Sequence, residues 1–177
     1  MQNITADVND TSKIEIRTSN ISGKGTFARR NILCGEYITT LSGKPVNTDP
    51  DVAQICAEFG ISGDDPLQID DAVFLVLDHA SKTINHSCNP NTGLRNKSDL
   101  YAIRNISIDE EITYDYSTTS GINDTWTMNC GCASEICRKI IGNVLSIPPL
   151  TISRYFKLDV LPDFIKTQLS KKAGMSR

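Results

Sequence analysis

Six cysteines stand at positions 34, 56, 88, 130, 132 and 137. Three fall in one short stretch, Cys130-Gly131-Cys132-Ala133-Ser134-Glu135-Ile136-Cys137. Thiols this dense suit a metal, because zinc takes four ligands in a closed tetrahedron and favours thiolate sulfur. The cluster offers three donors, so a fourth must come from elsewhere, and Cys34, Cys56, Cys88, His79 and His86 are the candidates. A thioredoxin-type redox pair needs two intervening residues, whereas a single glycine separates Cys130 from Cys132. Inert buried thiols are the remaining alternative. A second polar concentration, Asn85-His86-Ser87-Cys88, follows apolar Ile84 and runs into Pro90-Asn91. It reads equally as a surface turn with self-bonding asparagines or as a cradle for a polar ligand. Gly23-Lys24-Gly25, taken alone, is a hairpin turn; it lacks the further residues of a phosphate or dinucleotide loop.

These residues need a scaffold, and the composition bounds it. The chain has 177 residues, 39% hydrophobic and 22% charged, with a net charge of −3. That suits one domain with its own core and gives no basic footprint for direct nucleic-acid binding. No apolar run approaches the roughly 20 residues of a membrane span. The opening Met1–Asp10 has neither the basic start nor the apolar stretch of a secretory signal, so a cytoplasmic or nuclear location is expected.

Residues 1–12 read as a polar arm. Lys13–Arg17 alternates like a half-buried strand, and Thr26–Ala28 and Tyr37–Leu41 are short β-type runs. Turns are expected at Ser22–Gly25, Leu33–Glu36 and Ser42–Pro45. Asp49-Pro50-Asp51 resembles a helix start, with Val52, Ile55, Cys56 and Phe59 at helical spacing, closed by Gly60, Gly63 and Pro66. Ala72–Leu77 is apolar throughout and reads as a fully buried strand; Leu100–Ile106 and Glu111–Tyr116 read as two more. Residues 117–129 form a polar loop holding Trp126. Pro148-Pro149 opens a helix with Ile152, Tyr155 and Phe156 on one face, and Leu161, Phe164, Ile165 and Leu169 mark a second. The fold is mainly β, with small sheets and a helical C-terminal tail. That tail either caps the domain or offers a homodimer face.

Four segments together carry a resemblance. Residues 85–91 read Asn-His-Ser-Cys-x-Pro-Asn, and residues 111–116 read Glu-Ile-Thr-Tyr-Asp-Tyr. The cysteines follow Cys-x-Cys-x-x-x-x-Cys, and Gly23–Ala28 is followed downstream by Gly35-Glu36. In this order they resemble the SET-domain family of protein lysine methyltransferases with its post-SET zinc motif, over residues 12 to 142. The resemblance implies a mainly β SET fold with a knot-like threading of its C-terminal part. A SET domain would span 12–118, a post-SET zinc segment 119–142 and a helical extension 143–177. It implies S-adenosylmethionine-dependent transfer to a lysine of a protein substrate, with a histone tail as a candidate. Tyr116 matches the catalytic tyrosine. Tyr114 matches the position that helps set how many methyl groups are added, and a hydroxyl there implies mainly monomethylation. Lys24, Gly25, Thr26, Asn85 and His86 would hold the cofactor, and Cys88 would complete a zinc site with Cys130, Cys132 and Cys137.

The chain departs from the family pattern at Thr40-Leu41, where Glu-Tyr is usual. It departs again between Asp78 and Asn85, where Lys82 is the candidate for an arginine's place. Cys34 and Cys56 are expected to be buried thiols and His79 structural; Trp126 is expected to pack on the core, with stacking on the adenine or lining the lysine channel as the alternatives. The competing reading is a non-catalytic, zinc-stabilised binding module on the same fold. Retention of Asn85, His86 and Tyr116 favours the enzyme.

Overall fold

Runs of alternating or β-branched residues only four or five long, each broken by Gly, Pro, Asn or Asp, build several small sheets rather than one large one. The computed structural model describes residues 12–47 and 66–174; the helix expected over 52–59, with Cys56, lies outside them. Among the described residues, β1 (Ile14–Thr18) pairs antiparallel with β2 (Lys24–Ala28), and β2 pairs with β9 (Glu111–Ile112). A second sheet has the order β3 (Tyr37–Thr40), β8 (Asp99–Ala102), β7 (Thr92–Arg95). A third has the order β4 (Gly43–Asn47), β6 (Val73–Leu77), β5 (Pro66–Asp70). Two-residue strands β10 (Met128–Asn129) and β11 (Ile140–Ile141) form the fourth.

Several elements differ from the sequence reading for identifiable reasons. Gly43-Lys44-Pro45 is not a turn but the start of β4; as an edge strand, β4 can hold a proline whose missing N–H breaks no ladder. Pro66 likewise opens β5 on the other edge. The strand expected over Leu100–Ile106 ends at Ala102, because the Ile103 N–H turns to the Asn91 carbonyl at 2.9 Å. Ala72–Leu77 does give a strand, but Val73, Val76 and Leu77 are only half-buried. β7 carries no strong β pattern in Thr-Gly-Leu-Arg and was not anticipated from it.

The strand expected over Glu111–Tyr116 keeps only two ladder residues. Beyond Ile112 the chain runs beside residues 85–92 instead. Tyr114 N–H donates to the Asn85 carbonyl at 3.2 Å, and Ser87 N–H donates to the Tyr114 carbonyl at 3.1 Å, making a parallel bridge between His86 and Tyr114. Asn91, 1% exposed, fastens the pairing. Its Oδ1 accepts the Thr113 N–H at 2.9 Å, while its Nδ2 donates to the Glu111 carbonyl at 2.8 Å and to Glu110 Oε1 at 3.0 Å. Tyr116 then opens a short 3-10 turn, Tyr116–Thr119, capped by the Asp115 side chain.

The sheets enclose one core that includes Ile32, Ile38, Leu41, Leu94, Leu100, Ile106 and Ile112. A second cluster joins Ile103 to Tyr155, Val160, Leu161, Phe164 and Ile165 of the tail. The tail therefore caps the domain through helices α1 (Pro149–Lys157) and α2 (Asp163–Gly174). Tyr155 is the buried anchor of α1, whereas Phe156 is 42% exposed. Neither these helices nor any other described helix is long and apolar enough to cross a membrane.

Replacing Asn91 with alanine would remove the side-chain acceptor of the Thr113 N–H and the side-chain donor to the Glu111 carbonyl. Asn91→Ala is expected to lower the unfolding free energy in urea by about 2–4 kcal/mol. A loss below about 1 kcal/mol would contradict the fastening role.

Candidate active site

The parallel pairing brings three distant segments to one place. Asn85 Nδ2 donates to the carbonyls of Ser22 at 3.2 Å and Lys24 at 3.0 Å, and to Glu111 Oε1 at 2.7 Å. Both Glu111 oxygens also accept from Ser19 Oγ, at 2.8 and 2.9 Å. A Cβ on residue 25 would collide with that carboxylate, so Gly25 is what allows it to reach Asn85. Gly23-Lys24-Gly25 thus supplies carbonyls and clearance to the layer behind Asn85. Thr26 lies in the same layer, its hydroxyl 2.8 Å from Thr83 Oγ1. Glu111 was not singled out from the sequence, although it opens the Glu-Ile-Thr-Tyr-Asp-Tyr motif.

In front of Asn85 lies an open cleft of about 510 Å³ whose lining includes Ser22, Lys82, Asn85, His86, Tyr116 and Asn129. A second, narrow pocket of about 40 Å³ is walled by Phe74, Leu77, Tyr114, Tyr116, Thr119 and Trp126, among others. Tyr116 belongs to both. Its hydroxyl donates to the Ile84 carbonyl at 2.9 Å, and its ring centre lies 4.8 Å from that of Tyr114 and 5.4 Å from that of His86. Burial, with Tyr116 and Asp115 beside it, holds the Tyr114 hydroxyl well above the ordinary phenol range, so it remains a neutral donor. Trp126 lines this pocket and is not a core residue.

His86 is 3% exposed. Its Nδ1 accepts the Tyr116 N–H at 3.1 Å, which leaves the proton of the neutral ring on Nε2, 3.3 Å from Cys88 Sγ. Burial, and secondarily the charge of Arg138, pushes its pKa down to about 3, so the ring stays neutral.

The cysteine cluster adjoins the cleft, with Cys130 lining both. Donor atoms of His86, Cys88, Cys130 and Cys132 all lie within 4.8 Å of one another. Cys88 and Cys130 sulfurs are 3.8 Å apart, which matches the edge of about 3.8 Å in a tetrahedron with bonds of about 2.3 Å. Cys137 lies outside that tightest set but engages the thiols of both Cys130 and Cys132. The neighbouring backbone donates to sulfur: Cys88 N–H to Cys132 at 3.5 Å, Arg138 N–H to Cys88 at 3.3 Å and Lys139 N–H to Cys137 at 3.4 Å. Burial works against ionisation of Cys132, yet N–H donors and the adjacent thiols bring it down to about 7. The cluster can therefore hold a metal ion.

Arg138, the residue after Cys137, joins this cluster to the tyrosines. Its Nε donates to Cys88 Sγ at 3.4 Å and its Nη2 to Asp115 Oδ1 at 2.5 Å. Asp115, 2% exposed, also accepts from the Ser117 N–H at 3.1 Å and the Tyr155 hydroxyl at 3.2 Å. Burial pushes its carboxyl up from the usual range, and the guanidinium opposes that push. Cys34, expected to be buried, is exposed on the turn after Ile32, and His79 is exposed as well. Neither belongs to this site.

Residues 23–117 match the family model of the SET domain. The chain is 34% identical over 146 residues, 73% of its length, to Histone-lysine N-methyltransferase 2B of Homo sapiens, of which it spans 5%. It is 27% identical over 156 residues, 78% of its length, to the Probable histone-lysine N-methyltransferase set-23 of Caenorhabditis briggsae, of which it spans 63%. Among solved structures, the crystal structure of KRYPTONITE in complex with mCHG DNA and SAH has a TM-score of 0.54 at 22% identity, over 72% of this chain and 28% of that one. That last likeness is one of fold. The family match covers more than half of the chain and contains the Asn85–Asn91 and Glu111–Tyr116 segments whose pairing builds the cleft. The chain belongs to the SET-domain family.

Proposed function

We propose that this chain is an S-adenosylmethionine-dependent protein-lysine N-methyltransferase, mainly monomethylating, acting on a lysine-bearing protein partner with a histone tail as the first candidate. The observation that carries this reading is that Tyr116 is shared by the polar cleft and the narrow aromatic pocket. S-adenosylmethionine, when bound, supplies a methyl group on a positively charged sulfur. Asn85 and His86 would hold it in the cleft, Asn85 braced by Glu111, with Lys24, Gly25 and Thr26 supporting from behind. The pocket walled by Phe74, Leu77, Tyr114 and Trp126 would take the lysine side chain. A free lysine has a pKa near ~10.4, and partial desolvation against the Phe74, Leu77, Tyr114 and Trp126 side of the pocket favours its neutral form. Tyr116 would then aim the lone pair: the nitrogen forms a bond to the methyl carbon as the carbon–sulfur bond breaks, and the nitrogen gives up a proton. Positioning of this kind can supply up to ~7–11 kcal/mol of barrier reduction. The Tyr114 hydroxyl would keep a water beside the amine and crowd out further methylation.

The same reading assigns zinc to Cys88, Cys130, Cys132 and Cys137. His86 is set aside as a ligand because Nδ1 accepts a backbone N–H, so Nε2 carries the ring's proton and donates to Cys88 sulfur. Acidic net charge suits a lysine-rich partner, and a histone substrate implies a nuclear location.

Incubation with labelled S-adenosylmethionine and core histones, with the modified lysine mapped by mass spectrometry, tests the activity. Transfer is expected; failure of the protein to bind S-adenosylmethionine in calorimetry would overturn it. Tyr116→Phe should lower kcat by at least about a hundredfold while the protein stays folded, since it removes the hydroxyl that positions the amine; retained turnover would contradict its role. Tyr114→Phe should raise the share of di- and trimethylated product, and unchanged multiplicity would remove the water-holding role. Chelation should weaken cofactor affinity and thermal stability together, because Cys88 continues the chain from Asn85 and His86. Arg138→Met should make the metal about 10–100-fold easier to extract; chelator resistance equal to wild type would count against its bond to Cys88.

A further inference from the structure

The turn that follows the narrow pocket is held by two glutamines far apart in the sequence, Gln68 and Gln168. Thr119 and Ser120 line the pocket, and the next two backbone N–H groups need partners. Gly121 N–H donates to Gln68 Oε1 at 2.9 Å, and Ile122 N–H donates to Gln168 Oε1 at 2.9 Å. The nitrogens of the same two amides grip the β5–β6 turn. Gln68 Nε2 donates to the carbonyls of Asp70 at 3.1 Å and Asp71 at 3.3 Å, and Gln168 Nε2 donates to Asp71 Oδ1 at 2.7 Å. A Cβ on residue 121 would meet Gln168 Oε1 at 3.0 Å and Gln68 Oε1 at 3.2 Å, so a larger residue would have to press both amides aside by a few tenths of an ångström.

The fastening continues to the pocket wall. Asp124 N–H donates to the Gly121 carbonyl at 3.0 Å, and the Asp124 carboxylate accepts from Ser120 Oγ at 2.7 Å and from the Trp126 N–H at 2.9 Å. Gln68, Ser120, Asp124 and Trp126 all line the narrow pocket. Gln168 does not; it sits on α2, about fifty residues beyond the end of the family match at 117. The cleft in front of Asn85 hangs on Ser22, Lys24 and Glu111, none of which touches this clasp through the bonds described.

We infer that Gln168 is a positioning residue for the narrow pocket: through the Gln68–Gly121–Gln168 clasp, the last helix fixes the wall formed by Ser120, Asp124 and Trp126 against Tyr114 and Tyr116. The inference rests on the reading of that pocket as the lysine channel. It assigns the last helix, α2, an effect on the substrate side of the site and none on the cofactor side.

Gln168→Glu tests this, since it keeps an oxygen for Ile122 but sets a second carboxylate against Asp71. Adding Asp71→Asn restores a donor–acceptor pair between the two side chains. Three readings are taken on both variants. One is the emission of Trp126, the chain's single tryptophan. The others are kcat and KM for a histone H3 tail peptide, and calorimetric affinity for S-adenosylhomocysteine. For Gln168→Glu we expect shifted Trp126 emission and a loss of about tenfold in peptide kcat/KM, with S-adenosylhomocysteine affinity unchanged. Asp71→Asn should return both readouts toward wild type. Wild-type emission and kinetics in the single variant would overturn the inference. So would a loss of S-adenosylhomocysteine affinity in step with stability, or a double variant no better than the single. If the single variant does not fold, the double variant must fold and match wild type in emission, or the clasp is refuted. If wild-type protein methylates nothing, the methyltransferase reading fails, while the emission and rescue measurements still decide this inference.

Discussion

The seam between residues 85–92 and 111–116, built around the single parallel bridge of His86 and Tyr114, is the constraint on which the site depends. Neither segment forms a full strand. Each is held by the other and by side chains that take the place of a ladder, with Asn91 bonded to Thr113 and Glu111 and with Asn85 bonded to Glu111. The arrangement is costly to reach, because contacts so distant in sequence return nothing until the intervening loop has closed. Once formed, it puts an amide, an imidazole and two phenols within a few ångströms, with only Tyr116 on a regular element, the start of the 3-10 turn. A regular strand over 111–116 would send Tyr114 and Tyr116 to the same face and Asp115 to the other. The turn into the 3-10 segment instead buries Asp115 under Arg138 and sets Tyr116 at the wall between two pockets.

The buried polar chain from Cys88 through Arg138 and Asp115 to Tyr155 gives the seam a second set of supports. It joins the cysteine cluster, the tyrosine segment and the C-terminal helix α1. A buried carboxylate and a buried guanidinium are tolerable only as a hydrogen-bonded pair, so the position of each depends on the other. His86 reinforces the link, since one ring nitrogen takes the Tyr116 N–H while the other faces Cys88. The geometry of the cysteine cluster and that of the tyrosines are thus not independent properties of this chain. The glutamine clasp plays the corresponding part on the other side of Tyr116, where it connects α2 to the wall of the narrow pocket.

What could be read from the sequence was what depends on residue type and local spacing. The cysteine spacing and the polar Asn85–Asn91 run were visible because metal and ligand chemistry restrict which residues can serve, whereas the two tyrosines stood out only through the family resemblance. The amphipathic tail was visible because Phe164 and Ile165 must face a core. Strand limits were less legible: β4 begins where Gly43-Lys44-Pro45 suggests a turn, and only its edge position makes that acceptable. Glu111 and Asp115 stood inside a recognisable motif with no role of their own legible in it, and Arg138 and the two clasp glutamines carried no local pattern. Their roles arise from partners tens of residues away, and a polar residue gives no sign in sequence of where its hydrogen bond will go. Cys34 shows the converse error, since a cysteine's usual preference for burial yields to its place on an exposed turn.

The central claim is that the Tyr116 hydroxyl stands between the cofactor cleft and the lysine channel. A crystal structure of the protein with S-adenosylhomocysteine and a lysine-bearing peptide tests it most directly. The account predicts the cofactor's sulfur on the Asn85–His86 side of that hydroxyl, with the lysine nitrogen on the Tyr114–Trp126 side and facing the sulfur. S-adenosylhomocysteine lodged away from Asn85, or a lysine that enters without passing Tyr114 and Trp126, would contradict it.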